Sequence, residues 1–332
     1  MEAQIVEAAV LNIINHQSLI ATKAARVVWA AGGDAVMEFG LRRAQGPDAG
    51  IYGARAAVIG GCAGTSNVLT GKLFDVPVLG THAHSWVMSF PSELEAFRHY
   101  AQTFPEACTF LVDTYDTLRS GVPNAIKVMQ EMKAAGIELK NYGIRLDSGD
   151  LAYLSKKARK MLDEAGFTDA KITASSDLDE NLIMSLKLQG AKINNWGVGT
   201  KLITSDDCPS FGGVYKLAAE SDGNGAFIPK IKLSNNPSKV TNPGIKKIIR
   251  FYDKSTGKIK ADLICLEEEH YSQDERIKLF DHMAKWKKMI LKPGEYTIRE
   301  LLVPVFINGE CVYKSPSVKD IRSYCQKELE TL

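Results

Sequence analysis

Tyr142-Gly143-Ile144-Arg145-Leu146-Asp147-Ser148-Gly149-Asp150 is the stretch whose reading decides the fold. It opens as a short apolar β-type run, Tyr142–Leu146, and turns into a polar cluster. Behind it, Leu151–Ala165 has apolar positions at helical spacing, and another β-type run, Lys171–Ala174, follows. This rhythm of strand, polar cluster and helix extends from residue 34 to about residue 218. Further β-type runs fall at Val36–Phe39, Val76–Gly80, Phe110–Val112, Ile193–Val198 and Val214–Leu217, and further helical patterns at Ser92–Phe104, Asn124–Ala135 and Asp179–Leu188. Strands that alternate with helices pair in parallel, either in an open doubly wound sheet or in a barrel.

The polar clusters choose between the two. Nearly every β-type run ends in reactive residues: Arg42-Arg43, Thr81-His82-Ala83-His84, Asp113-Thr114-Tyr115-Asp116, Arg145–Asp150, Ser175-Ser176-Asp177 and Gly197-Val198-Gly199-Thr200. A barrel brings all carboxyl ends of its strands to one face, so all six clusters would converge. An open sheet gathers only those at its switch point. The expected architecture is therefore an α/β fold with an irregular, incomplete (β/α) barrel, because residues 34–218 are fewer than the about 250 of a regular one.

Residues 1–33 read as a long helix leading into the barrel, with Ile5, Ala9, Ile13, Ile20, Ala24 and Val27 on one face and a stop at Gly32-Gly33. Its beginning looks like the middle of a longer protein. Residues 219–332 read as a smaller, mostly antiparallel region. Turn signals at Asp222-Gly223-Asn224-Gly225, Asn242-Pro243-Gly244, Ser255-Thr256-Gly257 and Asn308-Gly309 separate its short β-type runs. A helix near Ser317–Leu329 closes it, with Ser317 and Asp320 placed as a capping box.

Composition narrows the function classes. Forty-one Lys and Arg against 39 Asp and Glu leave a formal charge of +2, which offers no footprint for nucleic acid or an anionic membrane surface. No run approaches 18 consecutive apolar residues, and Met1-Glu2-Ala3-Gln4 lacks the basic start of a signal peptide. The six cysteines are scattered, without a Cys-x-x-Cys pair, as in a reducing compartment. A cytoplasmic enzyme is the expectation.

Within Arg145–Asp150, Asp147 and Asp150 would hold Mg²⁺ or ribose hydroxyls, and Arg145 would grip a carboxylate with two hydrogen bonds. The plainer reading is that Asp147 or Ser148 caps the following helix. Gly197, Gly199 and Thr200 offer backbone N–H groups and a hydroxyl to a phosphate, although a lone Gly-x-Gly is also ordinary loop chemistry. His82 and His84 would face the same way in an extended segment, which suits one catalytic histidine beside a structural one better than a metal pair. Asp177, Asp113 and Asp116 again sit at strand ends. Together these residues suit an anionic phosphorylated sugar bound with Mg²⁺, and a transfer driven by positioning and electrostatics.

Five segments, in order, resemble the nicotinate phosphoribosyltransferase family of type II phosphoribosyltransferases. They are Glu38–Gly46, Gly80–Ser85, Arg145–Asp150, Gly197–Thr200 and Gly212–Leu217. The resemblance implies an irregular α/β barrel and a homodimer with sites shared between protomers. It also implies transfer of phosphoribosyl from phosphoribosyl pyrophosphate to nicotinate, giving nicotinate mononucleotide for NAD biosynthesis, with ATP as co-substrate. By position, His84 matches the histidine that becomes phosphorylated. Thr81, Arg145 and Arg42 match residues lining the nicotinate pocket, and Asp147 and Asp177 match carboxylates near the ribose and Mg²⁺. Gly199 and Thr200 match the loop holding the 5-phosphate. Ser66 stands where nicotinamide-using relatives carry an aspartate, which favours nicotinate; its plainer role is to cap a helix beginning near Asn67. The family's N-terminal segment, which carries an aromatic residue that stacks on the pyridine, has no counterpart here. Two alternatives therefore stand: a truncated form that folds and dimerises with little or no catalysis, and a relative that uses nicotinamide or quinolinate.

Overall fold

The computed structural model describes residues 2–236 and 239–332. They group into two compact units. One holds Ala8–Gly212 with Ser317–Ser323; the other holds Gly213–Pro316, Tyr324–Leu332 and the described residues up to Glu7.

The first unit is built on one parallel sheet of β1 (Ala35–Glu38), β2 (Gly64–Thr65), β3 (Ala107–Leu111), β4 (Asn141–Leu146), β5 (Lys171–Ala174) and β6 (Asn195–Val198). The strand order is β2-β1-β6-β5-β4-β3. The last strand thus pairs with the first, as in a barrel that closes on itself, and the circle is broken only between β2 and β3. The predicted Val76–Gly80 strand lies at this break. Pro77 has no N–H to give to a ladder, so the run is reduced to one bridge, Val78 to Thr65. On the other side of the break, His82 accepts from the Leu111 N–H of β3 through Nε2, at 3.1 Å. An imidazole does there what a neighbouring strand's carbonyl would do.

Helix α1 (Glu2–Ile5) belongs to the other unit; in this one the helices are α2 (Glu7–Ala31), α3 (Pro47–Ile59), α4 (Val68–Phe74), α5 (His84–Met88), α6 (Glu93–Thr103), α7 (Val122–Ala134), α8 (Leu151–Glu164), α9 (Glu180–Leu188) and α10 (Thr200–Ile203). The long helix expected within residues 1–33 is interrupted at Val6 and stops where Gly32 and Gly33 take positive φ. Ser92, Asp150 and Asp179 begin α6, α8 and α9 by accepting from backbone N–H groups three residues on. The strands bury both faces: Phe110, Ile144, Ile172, Trp196 and Val198 share one face, each fully inside, and Leu111 and Thr173 are buried on the other. Gly143 cannot carry a side chain, because a Cβ would strike the Lys171 backbone across the ladder.

Two ion networks tie the helices to one another and to the segment after α10. Buried Lys23 of α2 meets Glu180 at 2.8 Å and Asp207 at 2.7 Å, and Arg26 meets the same two carboxylates. Asp179 holds Lys201 at 2.8 Å, which links the start of α9 to α10.

The second unit is antiparallel, as expected. β7 (Ala219–Ser221) pairs with β8 (Phe227–Pro229), and β9 (Lys246–Asp253) lies between β10 (Ile259–Leu266) and β13 (Tyr296–Glu300). β11 (Ile277–Phe280) pairs with β12 (Lys288–Leu291), and β14 (Phe306–Ile307) with β15 (Glu310–Cys311). Ile249, Phe251 and Tyr296 form its core. The predicted turn at Asn308-Gly309 has both residues at positive φ, the form a two-residue hairpin demands. The expected strand Val214–Leu217 is absent: the run has no partner edge, and Val214 and Leu217 are exposed. Helix α11 (Val318–Leu329) opens with half of the anticipated capping box: Ser317 Oγ accepts from the Asp320 N–H, but the Asp320 carboxylate takes the Ser317 hydroxyl, at 2.6 Å, in place of its backbone N–H. Among the described residues no helix is long and apolar enough to cross a membrane.

Candidate active site

Because all six strands of the first unit are parallel, their carboxyl ends share one rim. Arg145, near the end of β4, is the centre of the arrangement there. Its Nε donates to Ser175 Oγ at 2.8 Å, Nη1 to Thr81 Oγ1 at 2.9 Å and Nη2 to Asp147 Oδ1 at 2.8 Å. Its guanidinium also lies 5.6 Å from the centroid of the Phe39 ring. Three of its five N–H groups are used, which leaves one on each terminal nitrogen.

Asp147 is held from several sides. Its N–H donates to Asp113 Oδ2 at 2.7 Å, and Ser175 Oγ donates to its Oδ1. Burial works against its charge, but the Ser175 hydroxyl and the Arg145 guanidinium outweigh that and hold the carboxyl below the usual range. His84 opens α5 with Nδ1 3.0 Å from Thr114 Oγ1, while its Nε2 lies 3.5 Å from Asp147 Oδ2 and 3.8 Å from Asp113 Oδ1. Its side chain keeps 36% exposure, so a ligand can reach it.

The two histidines part company. The segment is extended only as far as Ala83, and the helix then turns His84 towards the pocket. His82 is buried against Phe97 and Tyr100, and burial pushes its pKa down to about 4. It is a neutral, structural imidazole that closes the barrel.

Other predicted residues separate in the same way. Asp150 caps α8 and Asp116 caps the turn at Thr117–Gly121, each accepting from backbone N–H groups through one oxygen. In each the capping contact takes Oδ1. Ser66 is not the cap of α4; that role belongs to Asn67, whose Oδ1 accepts from the Thr70 N–H. Ser176 and Asp177 follow β5 with φ of 97° and 41°, sparsely populated backbone for such residues and a kind of strain that collects at functional sites. Asp177 is exposed, as is Arg42, whose side chain makes no hydrogen bond or ion pair among the described residues. Gly197 must be glycine because a Cβ would lie 2.7 Å from the Phe39 ring, and Gly199 runs alongside the Phe39 carbonyl before Thr200 begins α10. Phe39 is thus pressed between β6 and Arg145.

A metal ion needs oxygen donors here. Asp113 Oδ1 is buried and has no hydrogen-bond partner, and Asp147 stands beside it across His84. Two carboxylates of this kind fit Mg²⁺, which keeps most of its shell in water and substrate phosphates. Among the described residues no group of three or more His, Cys, Asp or Glu could hold a metal unaided.

Ser175, Thr114 and Glu38 were not singled out by sequence reasoning. Ser175 and Thr114 lie inside recognised clusters, but serine and threonine at strand ends are too common to stand out. Glu38 opens a segment that resembles the family's, but at the end of an apolar strand nothing in its spacing gave it a role of its own.

Comparison with known proteins places the chain in a family. The family model "Nicotinate phosphoribosyltransferase (NAPRTase) family" matches residues 35–210, and the model of the nicotinate phosphoribosyltransferase C-terminal domain matches residues 245–332. A nicotinate phosphoribosyltransferase of Bacillus subtilis is 51% identical across 100% of this chain, which spans 66% of that relative, just under two thirds of its length. The crystal structure of human nicotinic acid phosphoribosyltransferase superposes with a TM-score of 0.81 at 29% identity, covering 99% of this chain and 71% of that one. A nicotinate-nucleotide pyrophosphorylase from Pyrococcus furiosus shares the fold, with a TM-score of 0.70 at 23% identity over 98% of this chain and 73% of its own. The chain belongs to the nicotinate phosphoribosyltransferase family.

Proposed function

We propose that this protein transfers phosphoribosyl from phosphoribosyl pyrophosphate to nicotinate, forming nicotinate mononucleotide in NAD biosynthesis, with ATP consumed through His84. The observation that carries the reading is the Arg145 guanidinium. It is fixed by Ser175, Thr81 and Asp147 and still has one N–H free on each terminal nitrogen to grip a pyridine carboxylate.

The reaction needs positioning more than proton transfer. The pyridine nitrogen attacks the anomeric carbon with its own lone pair, and the bond to pyrophosphate breaks with the electron pair leaving on oxygen. No general base takes part. Arg145 and Thr81 hold the acceptor, and Asp147 and Asp177 face the ribose, where a carboxylate stabilises the positive charge that develops as the leaving group departs. Gly197, Gly199 and Thr200 offer the turn that cradles the 5-phosphate. Ser66 donates to the carboxylate without adding charge, and Arg42 supplies a further cation at the rim. Bound near Asp113 and Asp147, Mg²⁺ would neutralise the departing pyrophosphate. His84 accepts a phosphoryl group from ATP, and hydrolysis of that phosphohistidine draws the equilibrium forward.

The same reading implies a cytoplasmic homodimer with shared sites. Exposed Ile13, Ile14 and Trp29 on α2 leave apolar surface for a second protomer, and sedimentation velocity checks it. The functional test supplies nicotinate, nicotinamide and quinolinate in turn with phosphoribosyl pyrophosphate and Mg²⁺, with and without ATP. Nicotinate is expected to yield nucleotide, faster with ATP. Nucleotide formed preferentially from either of the other two would overturn the assignment.

A further inference from the structure

Glu38, at the carboxyl end of β1, is buried to 0% exposure, and both of its oxygens are engaged. Oε1 accepts from the Gly40 N–H, and Oε2 accepts from Thr65 Oγ1 at 2.5 Å. Thr65 Oγ1 passes the connection on by accepting from the Asn67 N–H at 2.9 Å, and the Ser66 N–H donates to the Glu38 main-chain carbonyl at 3.0 Å. One buried side chain therefore holds two loops at once. The first, 40–46, carries Arg42; the second, 64–67, carries Ser66. The approach at Gly40 is close enough that a Cβ would collide with Ile203 and with the Glu38 carboxyl. A hydrophobic residue at 38 would fill the space but hold neither loop.

We infer that Glu38 is a positioning residue for acceptor selection, setting the two pocket loops so that Arg42 and Ser66 meet the pyridine substituent together. The inference rests on the proposed reaction and deepens it. Both hydrogen bonds run towards the carboxylate, so two oxygens are needed. Glutamine has one oxygen, and its amide nitrogen must face a donor on one side. Burial raises the affinity of Glu38 for a proton, yet the donors from Thr65 and Gly40 favour its charged form.

The experiment compares wild type with Glu38→Gln, Thr65→Val and Thr65→Ser. It reads kcat and KM for nicotinate and nicotinamide, and amide hydrogen exchange over residues 40–46 and 64–67. Glu38→Gln and Thr65→Val are expected to raise the KM for nicotinate by roughly tenfold, the effect of a lost charged hydrogen bond, with a much smaller change in kcat. They should also narrow the preference for nicotinate over nicotinamide and speed exchange in both loops. Thr65→Ser retains the hydroxyl and should behave as wild type. Should Glu38→Gln fail to fold, the Thr65 pair decides the matter alone. Variants that lose kcat for both substrates in equal proportion would overturn the inference, as would unchanged exchange in the two loops. If wild type forms no nucleotide, the functional reading fails, and the exchange data still decide whether Glu38 sets the loops.

Discussion

Replacing Arg145 by lysine removes the planar fork while keeping the charge. The guanidinium makes three side-chain hydrogen bonds, to Ser175, Thr81 and Asp147, and a single ammonium at the end of an unbranched stem cannot satisfy all three in one plane. The site is only 17% exposed, so water does not readily replace what is lost. For the acceptor, a two-bond grip becomes one at best. A charged hydrogen bond of this kind contributes about 1.5–3 kcal/mol, which corresponds to a roughly ten- to hundredfold rise in the KM for nicotinate at about 1.4 kcal/mol per decade. The assay is initial nucleotide formation against nicotinate concentration, with phosphoribosyl pyrophosphate saturating. Asp147 loses a partner too, so the KM for phosphoribosyl pyrophosphate should rise, but less. An unchanged KM for nicotinate alongside a weakened phosphoribosyl pyrophosphate would refute the reasoning and assign Arg145 to the other substrate.

Three further outcomes follow from the same geometry. His84→Ala should abolish stimulation by ATP and leave slow, ATP-independent synthesis; acid-labile phosphate still appearing on the variant would contradict this. Ser66→Asp places a carboxylate against the substrate's own and should shift the preference from nicotinate towards nicotinamide, read from competition between the two, whereas an unchanged ratio returns the selectivity to Arg145 and Thr81. His82 stays neutral in the folded protein down to a pKa of about 4, while the unfolded chain takes up the proton at 6.5. Stability should therefore fall as pH drops from 6.5 towards 4, by up to ~3 kcal/mol. His82→Gln keeps an acceptor for the Leu111 N–H but cannot titrate, so urea unfolding of this variant should show a shallower slope over that interval.

Most of the barrel was legible because its signals are local. Lys171–Ala174 is a strand with the bounds its sequence suggests, and Ser92 and Asp179 sit just outside the helices that they cap. What was not legible depends on partners distant in sequence. Val76–Gly80 and Val214–Leu217 have strand composition, but one is limited by Pro77 and the other has no edge to pair with. The pattern His82-Ala83-His84 suggested a shared direction, and only the start of α5 separates the two rings. The site divides along the same line. Arg145, Thr81, Asp147 and His84 could be named from strand ends and family likeness, and the structure gathers them. That Asp150 and Asp116 serve as caps, and that Glu38 ties two loops together, follows from hydrogen bonds no spacing rule encodes.

The central claim is tested most directly by ³¹P NMR of a single reaction mixture of the protein, nicotinate, phosphoribosyl pyrophosphate, Mg²⁺ and ATP. The account predicts that pyrophosphate and nicotinate mononucleotide appear in equal amounts, only when nicotinate is present, while ATP is converted to ADP and phosphate. Phosphoribosyl pyrophosphate that is hydrolysed without nucleotide formation, or that persists unchanged beside folded protein, would contradict it.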